Sequence, residues 1–172
     1  MIKWVRELII FVLFIVLQTL VINHIRLFGI VTPYVYLYVI LTFRIDRSRS
    51  AVILLSFLLG LFIDIFSNTY GIHAAACALI GFIRDPLLAQ FVDTKELPDG
   101  SAPSFRLLGF IPFARYALIL IAIHHIVLYA IDSFGFYQPL SLLVRVLSSI
   151  LLTSLLLFII ESFNSGRVKH GE

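Results

Sequence analysis

Six apolar tracts, at 8–22, 27–43, 51–66, 70–83, 111–131 and 140–160, fill most of this chain and leave only short polar connections between them. A straight helix needs about 20 residues to cross the hydrocarbon core, with about 17 as a lower limit. The last two tracts meet that length and the second just does. The other three gain length from their flanks. Trp4 and Val5 extend the first, with Trp4 as an interfacial anchor. The fourth runs past Arg84-Asp85 toward Phe91, bent at Pro86, with Arg84 snorkelling to the headgroups. The expected helices therefore cover about 4–22, 27–43, 51–66, 70–91, 109–131 and 140–161, with a loop over 92–106 and a polar tail at 164–172. The expected fold is an all-α integral membrane protein, a single domain of six transmembrane helices.

Composition supports lipid as the solvent. The chain is 60% hydrophobic and 13% charged over 172 residues, against about 45–50% and about 25% in soluble domains. So short a chain has too much surface for its volume to hide that much apolar side chain from water. Cys77 is the single cysteine, which excludes a disulfide scaffold. A net charge of +3 would hint at nucleic acid in a soluble chain; here the placement of the charges matters more, and no nucleic-acid partner is expected.

The placement is lopsided. With the N-terminus in the cytoplasm, Lys3, Arg6, Arg44, Arg47, Arg49, Arg84, Lys95, Arg106, Arg115, Arg167 and Lys169 collect on the inner side, Arg26 stands alone outside, and Arg145 lies within a helix. That bias predicts six spans with both termini cytoplasmic. The bulky residues 21–24 offer no small-residue cleavage site, so the first tract reads as a retained helix rather than a signal peptide. Arg44, Arg47 and Arg49 can touch anionic lipid, although positive-inside anchoring accounts for them.

Polar residues inside the tracts gather at one depth. Asp64 lies about 21 Å along its helix from Ser50, in the outer half of the core, at 1.5 Å per residue. Arg145, His73, His124, His125 and Gln18 fall near the same level from their own helices. Ser56, Gly60, Asp64 and Asn68 share one helical face, as do Ser141, Arg145, Ser149 and Thr153. A lone charge in a membrane helix normally finds a partner, and the expected pair is Asp64 with Arg145, fixing helix packing rather than relaying protons. Gly71, Ala74, Ala75, Ala78 and Gly81 form a small-residue stripe suited to close helix contact. His73 and Cys77, with His124 or His125, have the donor types of a metal site, but histidines hydrogen-bonding in a bundle interior are the expected role. No Gly-x-Ser-x-Gly turn, phosphate-cradling glycine loop or paired inward carboxylates occur, so neither an enzyme nor a resident cofactor is expected.

The segment Leu59-Gly60-Leu61-Phe62-Ile63-Asp64-Ile65-Phe66-Ser67-Asn68-Thr69-Tyr70-Gly71-Ile72-His73-Ala74-Ala75 resembles that of the bacterial rod shape-determining protein MreD family. It has glycine and aspartate on one helix, a short turn, then a glycine opening a small-residue helix. Chain length, six tracts and the Pro33-Tyr34 opening of the second also match, and the resemblance is sharpest over residues 33–90. His124-His125 and residues 143–149 resemble one branch of that family. The resemblance implies a non-enzymatic subunit of the elongation machinery in the bacterial inner membrane. It would partner an MreC-like membrane protein and link MreB filaments to peptidoglycan synthases. It also implies likeness to the six-helix S-components of energy-coupling-factor transporters, so a vitamin-binding transport component is the alternative. The candidate functional positions are Gly60, Asp64, Gly71, His73, His124, His125 and Arg145.

Overall fold

Helices account for all the regular elements among the residues described by the computed structural model, which are 2–24, 31–133 and 139–166. Helix α1, Ile2–Val16, continues through a π turn, Leu17–Val21, and a 3-10 turn, Ile22–His24. A short helix α2, Leu37–Leu41, follows, then α3, Arg49–Ser67, and α4, Ile72–Leu88. The short α5, Phe105–Leu108, leads into α6, Phe110–Asp132, and α7, Pro139–Gly166. Among the described residues, three helices are long and apolar enough to cross a membrane: Arg49–Ser67, Phe110–Asp132 and Pro139–Asn164.

Local chemistry explains the ends of the central hairpin. The Ser48 hydroxyl accepts the Ala51 N–H and caps α3. At the other end Asn68 adopts the left-handed conformation at φ 55°, where asparagine is tolerated, and α3 stops. Gly71 opens α4 at φ 83°, a conformation that L side chains disfavour. Near the far end of α4, Pro86 has no N–H to give the Phe82 carbonyl one turn earlier. Arg49 reaches across from α3 to donate to that carbonyl at 3.3 Å, its guanidinium lying 4.3 Å from the centre of the Phe82 ring.

Helices α3 and α4 make the most extensive helix pair, with α4 in turn against α6 and α6 against α7. A Cβ on Gly60 would lie 2.6 Å from the Cα of Ala74, so the two backbones touch there. The small-residue stripe on α4 therefore has an internal partner. Its contact face carries Ala74 and Gly81, whereas Ala75 points outward. Gly71 is not part of that contact, since a Cβ there would meet nothing within 4 Å. Its conformation, not close packing, calls for glycine.

The expected second helix is corrected. Residues 27–30 lie outside the described residues, as do Arg26, the 134–138 part of the connection between the last two tracts and the 167–172 part of the tail; so does the side chain of Trp4. From Thr32 the chain is irregular through Tyr34, turns at Val35-Tyr36, and is helical only over Leu37–Leu41. Every residue from Pro33 to Leu41 is nevertheless buried. Buried non-helical backbone needs partners for its N–H and C=O groups, and side chains supply them here. Gln18, turned inward by the π turn, accepts the Val35 N–H at 2.9 Å and donates to the Pro33 carbonyl at 3.1 Å. Thr153 Oγ1 accepts the Tyr34 N–H at 3.1 Å, and Ser149 Oγ the Thr32 N–H at 3.4 Å.

Arg84 does not snorkel. It is fully buried and donates to the Phe43 carbonyl at 2.8 Å and to the Tyr116 hydroxyl at 3.3 Å, while Tyr116 donates to the Leu41 carbonyl at 3.1 Å. These two side chains satisfy carbonyls that the short α2 leaves open at its C-terminal end. Glu161 of α7, also fully buried, accepts from the Tyr38 hydroxyl at 2.7 Å and from the Phe105 N–H at 3.0 Å. The element over 31–43 is thus anchored at both ends by side chains from four other helices.

Candidate functional site

The polar groups meet where α3 hands over to α4. Asp64 Oδ1 accepts the His73 N–H at 3.1 Å and Oδ2 the Ala74 N–H at 2.8 Å. These are among the open donors in the first turn of α4, whose N-cap, Gly71, has no side chain to serve them. The carboxylate of one helix therefore caps the next, and its charge suits a helix N-terminus. Asp64 Oδ1 also takes the Thr69 hydroxyl at 2.5 Å and lies 3.0 Å from His73 Nδ1.

The expected Asp64–Arg145 pair is not formed. Asp64 is 2% exposed and bound to α4 and the turn before it, whereas Arg145 is exposed on α7. The physical reason is local: the neighbouring turn brings a histidine ring and two backbone donors to Asp64. The expected stripe on α7 divides likewise. Ser149 and Thr153 are buried against residues 32–34, while Ser141 and Arg145 are exposed.

His73, His124 and His125 do come together, around Tyr34, a residue outside the candidate functional positions. The Tyr34 ring centre lies 5.6, 5.7 and 5.3 Å from those of His73, His124 and His125. Tyr36 completes the cluster, its hydroxyl 2.9 Å from His124 Nε2. His125 Nδ1 lies 2.8 Å from the Ile121 carbonyl, which makes Nδ1 the donor and leaves Nε2 to accept from Thr153 at 3.2 Å. His124 Nδ1 is buried with no hydrogen-bond partner. Pro33, which has no N–H to give a helix, is the sequence signal that could have marked the irregular backbone beside Tyr34. Among the described residues, no three His, Cys, Asp or Glu side chains are grouped to hold a metal ion.

A cavity of about 820 Å³ opens at this end of the bundle. Tyr34, His73 and Tyr129 form its buried base, Asn23 and Thr69 its walls, and Asp132 and Arg145 also line it. Its walls are preorganised. Asn23 is held by Gln18 at 2.8 Å and by Ser67 at 2.8 Å, His73 by Asp64, and Tyr129 by Ser149 at 3.0 Å. At the opposite end Glu7 binds Arg47, and Arg44 pairs with Asp46. The hydrogen bond from Arg44 holds the exposed Asp46 carboxyl below its ordinary value and raises the guanidinium correspondingly. Comparison with family models, curated proteins and solved structures finds no match to this chain.

Proposed function

We propose that this chain is a non-enzymatic scaffold subunit of the rod-shape elongation machinery in the bacterial inner membrane, docking an MreC-like membrane protein and through it MreB filaments and peptidoglycan synthases. The observation that carries this reading is the α3–α4 hairpin. Residues 59–75, which carry the resemblance to the MreD family, are also where backbones touch at Gly60 and where Asp64 caps α4. A rigid hairpin of that kind holds a docking face in one shape, which a scaffold requires.

In this reading the chain crosses the membrane six times with both ends in the cytoplasm. The Lys and Arg distribution supports it. The segment over 31–43 counts as a crossing despite its short helix, because non-helical backbone gains up to about 3.3 Å per residue against 1.5 Å in a helix. Cysteine labelling in intact cells, with Cys77 replaced, tests the topology: position 95 stays protected and position 70 is labelled from outside. Depleting the chain from a rod-shaped host tests the function, and rounded cells are expected.

The cavity supports a second reading, a solute-binding component of an energy-coupling-factor type of transporter. Normal rods after depletion, together with loss of vitamin uptake, would favour it over the scaffold.

A further inference from the structure

We propose that the cavity at the α3–α4 end is a binding site for a small zwitterionic solute of short-peptide type, with its ammonium group at Asp132 and its carboxylate at Arg145. Both residues line the one cavity, on α6 and α7 respectively. Among the described residues neither makes an ion pair, so two opposite charges face one space without neutralising each other. A molecule bearing both charges is the complement of that arrangement.

The surface between the charges defines the rest of the ligand. Asn23, Thr69 and Tyr129 present an amide and two hydroxyls there, each held by a neighbouring side chain, as is the His73 ring. Neutral amides and hydroxyls match peptide groups better than a hydrocarbon body or further charge. The volume of about 820 Å³ lies in the range of sites for small organic ligands, about 300–1,000 Å³. Side chains locked by buried neighbours keep such a site in shape before the ligand arrives. A zwitterionic lipid headgroup shares the charge pattern but lacks the run of amides. The proposal goes beyond the scaffold reading and does not depend on it, since a scaffold that senses a solute and a transport component would both use the site.

The test is binding of triglycine, its N-acetyl derivative and its C-terminal amide to the full chain in phosphatidylglycerol nanodiscs. Triglycine should bind, and each capped form should bind about tenfold more weakly, one lost charge pairing of about 1.4 kcal/mol. In Arg145→Gln the free acid and the amide should bind alike, with the acetylated form still weak. In Asp132→Asn the pattern reverses. Both residues are exposed, so neither change threatens folding. No binding of triglycine, equal binding of the three probes, or variants that weaken all three equally would overturn the proposal. Displacement of triglycine by added phosphatidylethanolamine would assign the cavity to a lipid headgroup instead and overturn the peptide assignment. Partner docking is read in a separate assay, so either idea can fail alone.

Discussion

Asp64 and His73 are joined twice across a chain reversal: the carboxylate accepts the His73 backbone N–H at 3.1 Å and stands 3.0 Å from its ring nitrogen. The pair locks the end of α3 to the start of α4, at the level where the cavity opens. Arg145, the partner that charge and depth suggested, takes no part.

Mutating Asp64 should therefore destabilise the hairpin irrespective of Arg145. Asp64→Ala leaves the His73 and Ala74 N–H groups without an acceptor and should cost about 3 kcal/mol. Asp64→Asn keeps one oxygen and should cost less, about 1–2 kcal/mol. Arg145→Gln should stay within about 0.5 kcal/mol of the parent. Denaturant unfolding in detergent measures all three, and a double mutant more stable than Asp64→Asn would show that the charges are coupled after all.

The two glycines of the hairpin should fail in different ways. Gly60→Ala places a Cβ against the backbone of α4, 2.6 Å from the Ala74 Cα, and should force the helices apart. Gly71→Ala meets open space but holds φ at 83°, so its cost is conformational, about 1–2 kcal/mol. Gly71→Asn should recover part of that loss, because asparagine tolerates the left-handed region. Gly60→Asn should be worse than Gly60→Ala. Melting temperatures of the four variants distinguish space from conformation.

Gln18 should control the irregular segment before α2. Gln18→Leu removes the acceptor of the Val35 N–H and the donor to the Pro33 carbonyl while keeping side-chain bulk. Hydrogen exchange at residues 34–36 should accelerate, with exchange in α6 unchanged. Uniform acceleration would mean that Gln18 supports the whole bundle instead.

Arg84 should be as sensitive at the other end. It is fully buried, and Arg84→Met strips the Phe43 carbonyl of its donor, at a cost of about 1–3 kcal/mol. Arg84→Lys keeps the charge but cannot span both Phe43 and Tyr116 in a fork, and should recover only part of the loss. Full recovery would reduce the role of Arg84 to its charge.

The sequence made some of this legible and concealed the rest for identifiable reasons. Apolar length locates α3, α6 and α7, because each satisfies its own backbone and needs only lipid or a neighbour beside it. It fails in the second tract, where the apolarity of residues 33–41 reflects burial and the described part is helical only over Leu37–Leu41. Pro33, which lacks an N–H, carries the contrary signal. The common level of His73, His124 and His125 was readable from helix spacing, but Tyr34 at their centre was not, since its position depends on that irregular backbone. Depth and charge alone paired Asp64 with Arg145. They missed a closer partner because capping the first turn of α4 depends on how the turn folds back. Arg84 was misplaced for a similar reason: its carbonyl partners exist only because α2 ends early.

The scaffold reading rests most directly on a physical partner. Affinity purification of the tagged chain from membranes of a rod-shaped host, probed for an MreC-like protein, measures it. The account predicts that the parent chain and a Lys95→Arg control retain that protein, while Gly60→Leu, recovered at matched amounts, loses it. Purification of the parent chain free of any such protein, with cell shape unaffected by its removal, would contradict the account.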